Sequence, residues 1–232
     1  MTNTPMTDNE NTGQDGLIEE VLTKEQQDSL SPKDVIELLQ DGNARFVQGE
    51  LTIRNHRAQI RKAASGQYPK AIVLGCVDSR VPVEDVFDRG IGDMFVARVA
   101  GNFVNPDILG SMEFACHVSG AKVIVVLGHQ HCGAVQSAIG NVKLGNITEM
   151  LAKVTPAVEQ TSGFDDDRTG NNAAFVHAVT EQNVRLNVVR IRDESEILRQ
   201  MEAAGEIEIV GALYDMSDGT VRFTDAAGAA YA

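Results

Sequence analysis

The sequence predicts an α/β fold with a mainly parallel central β-sheet flanked by helices. Three apolar runs carry that reading: Ala71 to Gly75, Met94 to Val99 and Lys122 to Leu127. Each is continuous rather than alternating, as strands covered on both faces are. Helical patterns lie between them, at about 83–88 and 107–118. Strands alternating with helices make parallel sheets, whose ligands bind beyond the carboxyl ends of the strands.

The elements follow in chain order. Residues 1–16 are polar and turn-rich, which predicts a disordered tail, and 17–232 read as one domain. Over 17–29, Leu17, Ile18, Val21 and Leu22 share a helical face. A short amphipathic helix there is expected to dock on the body or on a partner subunit. Ser31-Pro32 supplies an N-cap and a first helical residue. Val35, Ile36, Leu38, Leu39, Phe46 and Val47 continue that helix to about Gly49. The basic stretch with Arg54, His56, Arg57, Arg61 and Lys62 is placed on a helix or loop and read for the most part as a solvated face. After the third strand a helix is expected over 134–140, then a loose stretch around Ser162-Gly163 and Gly170-Asn171. One or two helices fill 172–203. Glu206 to Leu213 and Thr220 to Phe223 are two closing strands joined by a hairpin at Ser217-Asp218-Gly219.

Composition narrows the function. The chain has 232 residues, 20 Lys plus Arg against 33 Asp plus Glu, and a net charge of −13. That balance argues against nucleic acid, whose phosphates need clustered cations, and against anionic membrane surfaces. No apolar run reaches the roughly 18 residues a transmembrane helix needs. The N-terminus lacks the basic and apolar segments of a signal peptide. Three Cys do not make a disulfide scaffold, so a cytoplasmic, reducing compartment is expected.

Two strand ends carry unusual residues. Gly75-Cys76-Val77-Asp78-Ser79-Arg80 follows the first run and Gly128-His129-Gln130-His131-Cys132-Gly133 the third. Neighbouring parallel strands bring Cys76, Asp78, His129 and Cys132 into one pocket. Two thiolates and an imidazole suit zinc, and three protein ligands leave a fourth position open. The H-x-x-C spacing suits two ligands from one helical turn. Asp78 either closes the site as a fourth ligand or pairs with Arg80 and accepts a hydrogen bond from metal-activated water.

C-x-D-x-R followed some fifty residues later by H-x-x-C-G resembles the β-class carbonic anhydrases. The likeness runs from about Ser31 to Phe223 and includes Arg45-Phe46, Arg98, Gly101-Asn102 and Gly211 to Tyr214. It implies that Cys76, His129 and Cys132 bind one Zn²⁺ per chain and that Asp78 and Arg80 form a catalytic dyad. The implied reaction is reversible hydration of CO₂ to bicarbonate and a proton, by zinc-bound hydroxide oriented by that dyad. The family also implies N-terminal helices that pack on a partner subunit, giving a homodimer or homotetramer. Val73 stands where a bicarbonate-regulated subgroup has Trp, and Gln67 where a plant-like subgroup has a Gln that hydrogen-bonds substrate. Gln67 and Gly133 are the substrate-binding candidates. Phe114 stands where the family often has Tyr.

The remaining residues get plainer readings: Cys116 as core, His117 as a packing residue, His131 pointing away from the metal, His56 and His177 on the surface. Gly75, Gly128 and Gly133 are read as allowing close backbone approach around the metal. Two other functions fit the same residues. One is CS₂ or COS hydrolysis on this scaffold. The other is a non-catalytic zinc protein, which needs Asp78 permanently on the metal.

Overall fold

The three apolar runs form neighbouring strands of one sheet, the Ala71 and Val123 runs inside it and covered by helices on both faces, the Met94 run at its edge. The computed structural model describes residues 16–224, so all of the expected tail but Gly16 lies outside the described residues. The elements are α1 (Lys24–Ser29), α2 (Pro32–Gln48), α3 (His56–Ala63), β1 (Ala71–Gly75), α4 (Val83–Val86), β2 (Met94–Arg98), α5 (Pro106–Glu113), β3 (Val123–His129), α6 (Gly133–Ile139), α7 (Gly145–Leu151), α8 (Thr155–Gln160), α9 (Ala173–Glu194), α10 (Glu196–Ala203), β4 (Glu208–Tyr214) and β5 (Val221–Thr224). A π-helical turn, Phe114–Val118, prolongs α5.

The strand order is β2-β1-β3-β4-β5. The first four strands run parallel and β5 returns antiparallel to β4. Every residue of β1 and β3 is buried, which is why those runs are apolar without alternation. Leu74 of β1 lies beside Val126 of β3, so Cys76 emerges next to the Gly128-His129 end of its neighbour. One sheet face packs Ile72, Leu74, Ile124 and Val126 against Met112, Val184, Val188 and Leu198. The other packs Val73, Val123, Val125 and Leu127 against Val35, Ile36 and Leu39 of α2 and Val86 of α4.

Helix α9 seats unusually close to the sheet. A Cβ on Gly128 would lie 2.6 Å from a Val184 methyl, and one on Gly211 2.7 Å from the other. Gly128 is thus needed for the close approach of the helix, and a Cβ on Gly133 would meet nothing within 4 Å. At Gly75 the nearest atom, a Val83 methyl, is at an ordinary 3.4 Å.

The structure departs from the sequence expectation in three places. The helix expected over 17–29 is confined to α1, because Thr23 and Gln26 form a capping box that starts the helix there. Upstream, the backbone of Ile18 pairs with Ile53 and Asn55 instead. Gln27, fully buried, docks α1 on its own body by donating to the carbonyls of Pro69 and Ser119. β3 runs on to His129 because Gly128 and His129 pair with Leu213 and Tyr214 of β4. Helices α7 and α8, which the sequence reading did not include, are short and lack side-chain caps, and the only local start signal is Pro156 in the first turn of α8.

Candidate metal centre and catalytic site

The carboxyl ends of β1 and β3 lie side by side, and each turns sharply as it leaves the sheet. Cys76 follows β1, His129 ends β3, and Cys132 precedes α6. His131, at φ 53°, reverses the chain so that His129 and Cys132 converge. This corrects the expectation of one helical turn: the pair spans a strand-to-helix turn. The Cys76 and Cys132 sulfurs and a His129 ring nitrogen all lie within 4.8 Å of one another, and all three residues are buried. The two sulfurs are 3.9 Å apart.

His129 is fully buried. Its Nδ1 donates to the Gln130 carbonyl at 2.8 Å, which leaves the lone pair on Nε2. Nε2 is buried and has no hydrogen-bond partner among the described residues. An orphaned acceptor beside two buried sulfurs is what a metal ion would satisfy, and the S₂N donor set fits zinc. The Cys132 S–H held against Cys76 lowers the Cys76 thiol, helped by the N–H groups of Gly101 and Asp78. The same contact, together with burial, raises Cys132. A cation would draw both toward thiolate.

Asp78 borders this cluster, its Oδ2 4.0 Å from His129 Nε2. Arg80 Nε donates to Asp78 Oδ1 at 2.9 Å and Nη2 to Oδ2 at 2.8 Å. The Arg80 N–H adds a third bond to Oδ1 at 2.9 Å. These bonds hold the carboxyl well below the usual carboxylate range. Arg80 Nη2 also donates to the His131 carbonyl, tying the two turns together. Arg98, at the end of β2, donates to the carbonyls of Cys76 and Asp78 at 2.8 and 2.7 Å. Phe103 and Val135 belong to the buried apolar cluster that also takes in Cys76 and Cys132.

Gln67 is not brought to this cluster. It precedes β1, whereas Cys76 follows it, and five strand residues span about 16 Å. It lines an open groove with Ile60, Ala63, Ser65 and Ile91. Gly133 begins α6, next to Cys132. Val73 is buried in the sheet, and Phe114 is exposed with its ring edge-on to Phe95. Cys116 is buried in the π-turn, where burial pushes its thiol up to about 12. His56, His117, His131 and His177 are exposed.

Two site-supporting residues escaped the sequence reading. Asn183 and Asn187 lie on α9, each 1% exposed, and bond the 101–104 segment beside Cys76. Their signal was present as two amides four apart in a stripe with Val179, Val184 and Val188, positions where an amphipathic helix puts apolar residues.

The family model for carbonic anhydrase matches residues 71–221. A carbonic anhydrase of Mycolicibacterium smegmatis is 38% identical over 191 residues, 79% of this chain and 88% of that protein. Carbonic anhydrase 2 of Mycobacterium tuberculosis is 36% identical, covering 82% of this chain and 91% of that protein. The crystal structure of the β-carbonic anhydrase CafA of Aspergillus fumigatus superposes with a TM-score of 0.65 at 27% identity, over 84% of this chain and 90% of that one.

Proposed function

Because this chain belongs to the β class of the carbonic anhydrase family, we propose that it reversibly hydrates CO₂ to bicarbonate and a proton, with one zinc held by Cys76, His129 and Cys132 and with Asp78 and Arg80 as the dyad. The observation that carries the reading is the orphaned Nε2 of a buried histidine, set between two buried sulfurs and next to a carboxylate held by Arg80. When bound there, zinc would acidify a coordinated water toward neutral pH. Asp78 is kept ionised by Arg80. It accepts a hydrogen bond from the attacking water oxygen and turns a lone pair of that oxygen toward the substrate carbon. Phe103 and Val135 offer an apolar wall that suits CO₂ and excludes bulk water. The bidentate Arg80 bond speaks for an open fourth position and against the closed site of a structural zinc protein.

The working form in this reading is a homo-oligomer in the cytoplasm. β2 is an edge strand, and Ile60, Phe114 and Val118 are more than half exposed. Chains pair over such surfaces. Gln67, remote from its own cluster, then serves the site of the neighbouring copy, and Gly133 lies on the substrate side of Cys132. Among the described residues no helix is long and apolar enough to cross a membrane.

The test is stopped-flow CO₂ hydration from pH 6.5 to 9, with zinc quantified on the same sample. The expected result is about one zinc per chain and hydration that rises toward alkaline pH. Asp78→Asn keeps the zinc and loses roughly 10²-fold or more in kcat/KM, the scale of proton-handling groups. Bound zinc without hydration overturns the reading and sends the assay to CS₂ and COS. Full activity in Asp78→Asn overturns the dyad.

A further inference from the structure

Among the described residues, the Cys76 sulfur has one hydrogen-bond donor outside the cluster and its own turn, the N–H of Gly101 at 3.4 Å. Locally it is held by one bond, the Asn102 N–H donating to the Val99 carbonyl at 2.9 Å, which closes a turn over Gly101 but does not tie that turn to the rest of the body. Gly101 and Asn102 are consecutive left-handed residues, at φ 87° and 37°. An Asn there is strained and persists only where its surroundings hold it. A Cβ on Gly101 would meet a Val154 methyl at 2.9 Å, so the segment is pressed against the next layer with no slack.

What holds it is a ladder of two amides on α9. Asn183 Nδ2 donates to the Gly101 carbonyl at 2.9 Å. That carbonyl is separated from the N–H that meets the sulfur only by the φ and ψ of Gly101. Asn187 Nδ2 donates to the Asn183 carbonyl at 2.8 Å and to its Oδ1 at 3.2 Å, which turns the Asn183 amide so that its nitrogen faces Gly101. Asn187 Oδ1 accepts the Val104 N–H at 2.8 Å and pins the other end of the segment. Both side chains are 1% exposed. Burying two amides is unfavourable unless they are bonded, and packing alone would be served by apolar residues there.

We infer that Asn183, steadied by Asn187, is a positioning residue for the metal centre: it holds Gly101 so that its N–H fixes the Cys76 sulfur in place. The inference rests on the zinc reading above. Partners of this outer kind change metal affinity by about 10–100-fold when removed.

The test separates this from a merely structural role by reading the metal. Asn183→Leu removes the donor at similar volume. Asn183→Ser, whose hydroxyl bonds back within its own helix, serves if the Leu variant does not fold. Ile191→Ala, two turns further along α9 and fully buried, is the control for lost stability. Each holoprotein is challenged with a chromogenic chelator for its rate of zinc release. Each is also substituted with cobalt(II) for the sulfur-to-cobalt charge-transfer band. The Asn183 variant is expected to release zinc at least ten times faster than wild type. Its band moves to longer wavelength, since a sulfur without the N–H gives up an electron more readily. Ile191→Ala keeps the wild-type rate and band even though it melts lower. A wild-type rate and band in both Asn183 variants overturns the inference, as does an equal change in Ile191→Ala. No charge-transfer band in the wild-type protein overturns the zinc reading itself.

Discussion

Replacing Gly128 with Ala tests whether the close seat of α9 positions the metal centre. The added Cβ would lie 2.6 Å from Val184 Cγ2, 3.1 Å from Leu213 Cδ2 and 3.2 Å from Thr180 Cγ2. Ordinary contact is about 3.5–4.0 Å, so Val184 must move by roughly 1 Å. Val184 is β-branched on a helix and has essentially one rotamer, so the strain falls on the helix itself. Overpacking of this kind costs about 1–3 kcal/mol. With three close contacts, about 2 kcal/mol is expected, a fall in Tm of roughly 4–8 °C for a chain of this size. Val184→Ala alone costs about 2 kcal/mol through its lost methyls and the space they leave. In the double variant the new methyl enters that space, so the two losses partly cancel, with a coupling of about 2 kcal/mol. Urea denaturation of the four proteins measures this. Gly128 adjoins His129 and α9 carries Asn183, so zinc release should also quicken in Gly128→Ala and recover in the double variant. Simple additivity of the two losses, or a Gly128→Ala protein within 0.5 kcal/mol of wild type, would refute the packing argument.

Asp88→Asn disturbs a buried charge cluster away from the chemistry. The fully buried Asp88 carboxylate bonds Arg45, Arg54 and Thr52. Burial alone would raise its pKa, but the bonds from Arg54, Thr52 and Arg45 outweigh it and hold the carboxyl below its ordinary value. A depressed carboxyl stabilises the fold above its unfolded pKa of about 4 and loses that contribution as pH falls through the folded value. The variant should therefore be about 3 kcal/mol less stable at pH 7, with a gap that closes in acid; a pH-independent gap in thermal melts would contradict this. Cys116→Ser should leave zinc at one per chain and cost about 1–3 kcal/mol for an unpaired buried hydroxyl. Loss of metal in that variant would mean the wrong thiols were assigned. Gln67→Ala and Cys132→Ala should each be weakly active or inactive alone. Mixed and allowed to exchange subunits they should regain activity, because the hybrid holds one site with both groups; no recovery in the CO₂ assay counts against Gln67 acting across an interface.

The local sequence was enough wherever one segment carried its own signal. Pro32–Gln48 begins at a Ser-Pro cap and ends at Gly49, whose φ of 73° few residues but glycine adopt readily. Continuous apolar runs identified β1 and β3, since strands covered on both faces favour apolar residues throughout, and also β2, although that edge strand is only half-buried. Cys76, Asp78, His129 and Cys132 were legible as one cluster because parallel neighbours align their carboxyl ends.

Other features arise only between segments distant in sequence. Leu17 to Leu22 have helical spacing, yet the backbone of Ile18 finds partners at Ile53 and Asn55, and pairing outweighed periodicity. Asn183 and Asn187 have ordinary helical spacing, and their function appears only once the Gly101–Val104 segment lies against them. Gly128 reads as a metal-site glycine until Val184 is seen filling the space where its Cβ would be. Gln67 sits nine positions before Cys76, but an intervening strand carries the two to opposite ends of the sheet. Sequence by itself determined the class of fold and the identity of the clustered Cys and His side chains that could hold a metal, because chemistry and hydrophobic pattern are local properties of residues. Tertiary structure alone decided which groups steady those atoms and which lie out of their reach, because hydrogen bonds and steric contacts depend on distances that chain order does not encode.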